Sequence, residues 1–158
     1  VGRLIGAADG LKAFGDEVDE STESLMRLKT SDLGSLIWKV EVFTDGDKPT
    51  LVLNKRIPDA LTRIKKDPRF YALILPSALQ QVLYRLLLSK PDDDDSAAIE
   101  QREKWLKWAT RIESSPPDLD DMEDLETLSD WVERVVESFA AEKNMAEILL
   151  RQIEESGY

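Results

Sequence analysis

The fold is organised around residues 76–89, which read PSALQQVLYRLLLS. Their apolar side chains recur at helical spacing and cover one broad face, which leaves few polar positions. The face consists of Leu79, Val82, Leu83, Leu86 and Leu87, and is extended by Tyr84 and Leu88. A helix this apolar buries most of its surface, so we predict that it is the central element of the core.

Further helices are predicted on both sides of it. A short one begins after Pro58 and is stopped by Asp67-Pro68. Another runs over residues 97–113, after an acidic linker from which Asp95 or Ser96 can cap it. Beyond Ser114-Ser115-Pro116-Pro117, apolar residues step by three and four over 125–153. They fit either one long helix or two helices broken near Asn144.

One β-hairpin is predicted over residues 36–54. Alternating residues at 36–43 and a short apolar run at 50–54 flank a turn rich in Asp and Gly. Trp38, Val40 and Val42 lie on one face of the first strand. Because an isolated two-stranded ribbon is marginal in water, it must pack on the helices, pair with another copy, or extend a sheet from other sequence.

The first 33 residues carry a heptad pattern that predicts an amphipathic helix. Its positions are Leu4, Ala7, Leu11, Phe14, Val18, Ser21, Leu25 and Leu28. Glycines at positions 2, 6, 10 and 15 weaken its first half. An inter-chain coiled coil and an ordinary helix packed on its own domain both fit this pattern.

The predicted fold class is therefore mainly α with minor α+β character, a multi-helix domain with one antiparallel β-hairpin. Residues 1–33 form the N-terminal amphipathic helix and residues 34–158 form the helical domain with the hairpin at about 36–54. The hairpin has no third strand in this prediction, and the chain begins at Val1 rather than Met. We therefore expect a module of a larger protein.

Composition excludes several kinds of chemistry. The 158 residues include no His and no Cys, which removes disulfides, imidazole or thiolate metal sites and Ser-His-Asp relays. No apolar run approaches the roughly 18–20 residues of a membrane span, and no phosphate-binding glycine motif occurs. We expect a cytoplasmic protein that is not an enzyme, binds no cofactor and has no membrane partner.

Charge is distributed unevenly along the chain, which has a net charge of −11. Residues 35–90 carry 10 basic and 5 acidic side chains, whereas residues 91–158 carry 7 and 20. A basic cluster at Lys55, Arg56, Arg63, Lys65, Lys66 and Arg69 is read as a solvated surface. Nucleic acid is not expected as a partner, because a domain of this net charge repels a polyanion.

Two acidic runs invite a metal hypothesis, one at residues 92–95 and one at residues 118–126. Neither run matches an EF-hand loop, and acidic residues are common in linkers and in the first turn of a helix. No metal site is therefore predicted. A metal-dependent enzyme using Asp120 and Asp121 is the third-ranked hypothesis, and it requires that a divalent ion raise the melting temperature.

The sequence favours a protein–protein interaction or assembly module. Self-association is the simplest partnership, and binding to another protein is the other. The predicted interaction residues are Leu11, Phe14, Val18, Leu25 and Leu28 of the heptad pattern, and Trp38, Val40 and Val42 of the hairpin. The alternative is an acidic inhibitor or immunity-type protein that covers a basic partner surface with residues 118–133.

Overall fold

The structure, a computed structural model, describes residues 25–42, 48–119 and 125–157. Over these residues the chain is mainly helical with a small sheet, which confirms the coarse fold class. The strands are β1 (Arg27–Ser31), β2 (Trp38–Glu41) and β3 (Thr50–Asn54). The helices are α1 (Ala60–Lys66), α2 (Pro68–Leu88), α3 (Ser96–Ile112), α4 (Leu125–Glu142) and α5 (Met145–Glu155).

The sheet is mixed and has the strand order β1-β3-β2. The two strands expected from the sequence pair antiparallel, with Trp38 opposite Leu53. The prediction of a single antiparallel hairpin is nevertheless wrong, because β1 adds to the other side of β3 in parallel, with Arg27 opposite Thr50. Strand β3 is thus the centre of the sheet, and all five of its residues are buried.

The prediction of a helix over residues 1–33 is wrong for its last part, because Arg27–Ser31 form strand β1. Leu25 and Leu28 fit a helical step of three, but Met26, Leu28 and Thr30 also alternate with charged neighbours as a strand does. Pairing with β3 satisfies the backbone groups of Arg27, Lys29 and Ser31, and Met26 is fully buried just before the strand. Residues 1–24 lie outside the described part of the chain, so the rest of the heptad pattern stays a prediction.

Helix α2 is the central helix, as its apolar pattern predicts. The sheet, α1, α3, α4 and α5 all contact it. It begins eight residues before the expected start and runs through Pro76. A proline inside a helix costs about 3 kcal/mol, but buried residues continue on both sides of it. Burial of Ile74, Leu75 and Leu79 offsets that cost, since each such side chain contributes about 1.5–3 kcal/mol.

Polar side chains define where the helices begin and end. Asp95 caps α3 as expected, accepting a hydrogen bond from the Ala98 amide at 3.1 Å. Arg102 donates from Nε to the carbonyl oxygen of Leu86 at 3.2 Å, which satisfies one of the last carbonyls of α2. The C-terminal region is two helices, because Asn144 adopts a left-handed conformation (φ 51°) between α4 and α5.

Two fully buried tryptophans join the helices to the rest of the core. Trp105 of α3 donates from Nε1 to the carbonyl oxygen of Leu25 at 3.2 Å. Trp131 of α4 donates in the same way to Glu113 at 3.2 Å. Since a buried indole N–H needs a partner, these bonds fix where α3 and α4 sit. Trp105 in particular locks the residues that lead into β1.

By length and composition alone, α2 could cross a membrane, and half of its most apolar window is buried inside the molecule. Core helices of soluble proteins pass the same test. The sheet and four helices pack around α2 and account for the buried half of that window.

Candidate interaction surface

Strand β1 is an edge strand with an open side. In its parallel ladder, the Arg27 amide donates to Pro49 and the Ser31 carbonyl oxygen accepts from Lys55, at 2.9 and 2.8 Å. Residues 27, 29 and 31 therefore bond toward β3, and the amides and carbonyls of Leu28 and Thr30 point outward. No strand among the described residues pairs with this side. Thr30 itself is exposed.

The other sheet edge, on β2, is partly closed. The Asn54 amide donates to Ile37 at 2.9 Å, so the antiparallel register points the backbone groups of Trp38 and Val40 away from β3. Arg85 of α2 reaches this edge and donates from Nη1 to the Val40 carbonyl oxygen at 2.9 Å. A side chain that occupies an edge carbonyl hinders strand addition. The two edges therefore differ, and β1 is the more accessible.

The sheet face that points away from α2 is charged. Lys29 of β1 and Lys39 of β2 both pair with Glu41, at 3.2 and 3.5 Å. The register places both lysines beside Val52 of β3, which is fully buried. The hydrogen bond from Lys29 holds the pKa of Glu41 below its ordinary value, with help from the Lys29 charge and from Lys39, although burial acts in the opposite direction. Two cations thus share one ionised carboxylate.

The loop from β1 to β2 is held by Asn54, which is 4% exposed at the end of β3. Its Nδ2 donates to the carbonyl oxygens of Gly34 and Leu36, at 2.9 and 2.8 Å. Its Oδ1 accepts from the Arg56 amide at 3.0 Å. Gly34 has φ +63°, a conformation that favours glycine. The side chain of Asn54 therefore uses both its donor and its acceptor groups to fix the loop.

This loop presents two neighbouring aliphatic side chains to solvent. Leu36 is 58% exposed and Ile37 is 54% exposed. Arg56 and Asp32 form an ion pair at 3.5 Å in the same loop region. Preorganised apolar side chains lose little entropy on binding, so they are suited to anchor a partner. Leu36 and Ile37 lie on the β2 side of β3, where the Ile37 carbonyl oxygen accepts from the Asn54 amide, and not beside β1. We define the candidate interaction surface as the outward side of β1.

The interaction residues predicted from sequence fall into three groups. Leu25 and Val40 are buried in the core. Leu28, Trp38 and Val42 are partly buried and pack against that core. The remaining three, Leu11, Phe14 and Val18, lie outside the described residues. The structure therefore places Leu28, Trp38 and Val40 in one sheet, with Leu28 on the open edge strand. Leu25 and Val40 are buried and contribute to core packing.

Sequence reasoning did not single out Thr30, which lies on the open side of β1, or the exposure of Leu36 and Ile37. The alternation of Arg27, Leu28, Lys29 and Thr30 is the signal that would have indicated β1. Ile37 was assigned to the hairpin strand, but it lies in the loop that precedes β2. Ile37 is exposed because β2 begins only at Trp38. The apolar run at residues 36–38 does not show at which residue the strand begins.

Comparison of the chain with protein-family models, curated protein sequences and solved structures finds no match. A functional proposal therefore depends on the geometry of the described residues.

Some residues of the charged runs singled out in the sequence form ion pairs, and others are exposed. Arg63 and Arg69 of the basic cluster both pair with Asp67, at 3.5 and 3.4 Å. Asp92, Asp93 and Asp94 are exposed in the linker before α3. Over residues 25–42, 48–119 and 125–157, no group of three or more acidic side chains could hold a metal ion. Asp120 and Asp121 lie outside these ranges.

Proposed function

We propose that this chain is a protein–protein interaction module that binds an extended segment of its partner along the outward side of β1. The observation that carries the proposal is the pair of residues Leu28 and Thr30, whose outward amides and carbonyls have no strand partner in the described part of the chain. Such groups form hydrogen bonds with an added strand, and this is a common mode of peptide recognition.

The regular pairing of β1 supports binding along its outward side. Edge strands are kept from unwanted pairing by bulges, by short length, by covering elements or by charged side chains, and β1 carries the charged Arg27 and Lys29. It nevertheless keeps regular pairing with β3 over all five residues, which leaves the outward groups of Leu28 and Thr30 in line for an added strand. A partner strand would gain backbone hydrogen bonds from Leu28 and Thr30.

Replacing Thr30 with Pro tests the proposal. Proline removes only the outward amide of Thr30, since the inward bonds of β1 come from residues 27, 29 and 31. Peptides selected on the wild-type chain from a random display library are expected to bind the Thr30→Pro variant at least about fivefold more weakly, because one backbone hydrogen bond is lost and the ring obstructs the edge. Fluorescence anisotropy measures the Kd.

Thr30→Val is the matched control, because it keeps the amide and is also β-branched. It should bind the selected peptides like the wild-type chain, and all three proteins should have similar melting temperatures. Equal binding of the peptides to Thr30→Pro, or failure of the wild-type chain to select any peptide, would contradict the proposal.

A second candidate function, an acidic protein that covers a basic partner surface, is favoured by one observation on α4. Exposed carboxylates follow each other at steps of four, three and four along one side of this helix, namely Glu126, Asp130, Glu133 and Glu137. Binding through this row requires that the double exchange Asp130→Asn and Glu133→Gln weaken the complex, whereas Thr30→Pro leaves it unchanged. The two candidate functions therefore give opposite results with the same variants.

A further inference from the structure

We infer that the segment added to β1 is an acidic strand of another protein, rather than a second copy of this chain. This inference rests on the proposed function and specifies the chemistry of the partner.

The first observation is the cation on β1 itself. Lys29 projects from the outer face of the sheet, and its side chain is 47% exposed. It shares the Glu41 carboxylate with Lys39, so this group of three side chains keeps one surplus positive charge. An added strand would place a side chain directly beside Lys29 on the same face. A carboxylate at that position is favoured and an ammonium group is disfavoured.

Several basic residues lie near β1 in the described part of the chain. The Lys55 amide bonds to the Ser31 carbonyl oxygen at 2.8 Å, so the exposed Lys55 lies at the end of β1. Helix α1 packs against β1 and β3, and its last turn carries Arg63, Lys65 and Lys66 without an acidic residue in its first turn. Asp32 pairs with Arg56 and Asp67 pairs with Arg63, so the local positive balance near the open edge comes from Lys29, Lys55 and Lys66. This balance favours an acidic side chain at short range.

A second copy is a poor occupant of this edge. The outward groups belong to Leu28 and Thr30, so a symmetric antiparallel pairing over the full strand would join Leu28 of one copy to Thr30 of the other. The symmetry axis would then pass beside Lys29 and place it opposite Lys29 of the second copy. Like charges directly opposite each other on a sheet destabilise the pairing.

The same geometry specifies the pattern of the partner strand. Side chains that share the face of Lys29 should be acidic, and the alternate ones share the face of Leu28, which packs against the core. The partner segment is therefore expected to alternate acidic and apolar residues over about five to six positions, the usual length of a strand.

Three synthetic peptides of about seven residues test this pattern. In each, Val alternates with Glu, with Ser or with Lys. The Val/Glu peptide is expected to bind the wild-type chain about fivefold more tightly than the Val/Ser peptide, and the Val/Lys peptide more weakly than either, because of the charge beside Lys29. Added salt should reduce these differences. Fluorescence anisotropy gives the Kd values.

Lys29→Glu and Lys29→Gln are the informative variants. The Lys29→Glu exchange should reverse the order of the Val/Glu and Val/Lys peptides, and Lys29→Gln should bring their affinities closer together. Thr30→Pro should weaken the binding of every peptide. If Lys29→Glu fails to fold, the inference is tested by the affinities of the three peptides for the wild-type chain. Their ranking and its dependence on salt show whether the partner strand is acidic.

The possible failures can be told apart. If the three peptides bind equally well and all are lost in Thr30→Pro, the proposed function stands and the acidic partner is wrong. If none of them binds, both are wrong. Sedimentation equilibrium tests whether a second copy of this chain binds the edge. A dimer that Thr30→Pro abolishes would show that it does, and would overturn the inference.

Discussion

Replacing Trp105 with Ala is expected to lower the free energy of unfolding by about 3–5 kcal/mol, the usual range for removing a buried aromatic side chain. Trp105 is fully buried and contacts Trp108 edge to face, with ring centroids 5.7 Å apart. The change also leaves the Leu25 carbonyl oxygen without the indole N–H. Urea denaturation followed by circular dichroism measures the loss.

Two control variants separate the causes of this effect. Trp105→Phe keeps an aromatic ring but cannot donate to Leu25, so it should cost less than the alanine variant and more than a solvent-exposed change. Trp38→Ala removes the same side chain from a partly buried position on β2 and should cost clearly less. A cost below about 1.5 kcal/mol for Trp105→Ala would mean that α3 is not packed as described.

Exchanging Asn54 for Asp is expected to cost about 2–4 kcal/mol at neutral pH, because two carbonyl oxygens lose their donor. The new carboxylate has the same shape as the amide, but it would face the oxygens of Gly34 and Leu36 without a hydrogen to share. Burial raises the pKa of the introduced carboxyl in the folded state above its unfolded value. The cost is therefore fully present above the folded pKa and should shrink as the pH falls through it.

Urea titrations at several pH values measure this cost, and Asp32→Asn is the matched control. It is the reverse exchange at an exposed position of the same loop, where Oδ1 still accepts from the Gly34 amide. It should change the free energy of unfolding by no more than about 0.5 kcal/mol. Equal stability of wild type and Asn54→Asp would show that Asn54 does not hold the loop.

The helices could be predicted because their patterns are local. Apolar residues between Leu79 and Leu87 repeat at helical spacing, and the structure buries most of them against the sheet and the other helices. The start of α2 was predicted at Pro76 because proline usually marks a boundary, whereas burial of Ile74 and Leu75 continues the helix on the N-terminal side. Local pattern therefore predicted the existence of this helix better than its length.

The open edge could not be predicted from the sequence, because it depends on pairing between distant residues. Strands β2 and β3 are joined by a short connection, so their pairing follows from local alternation. The partner of Arg27–Ser31 lies 23 residues further along the chain, and nothing in the local pattern indicates a parallel register. Trp38 and Val40 were assigned to the correct face, but which edge stays open depends on β1 and on Arg85.

The most direct test of the open edge is the hydrogen exchange of backbone amides in the ¹⁵N-labelled chain, measured by NMR. The register predicts slow exchange at Lys29 and Ser31, whose amides bond to β3, and fast exchange at Leu28 and Thr30, whose amides point outward. This alternation along one strand would establish the free groups on which the proposed function depends. Amides of Leu28 and Thr30 that exchange as slowly as those of Lys29 and Ser31 would show that the edge is already covered, and would contradict the proposal.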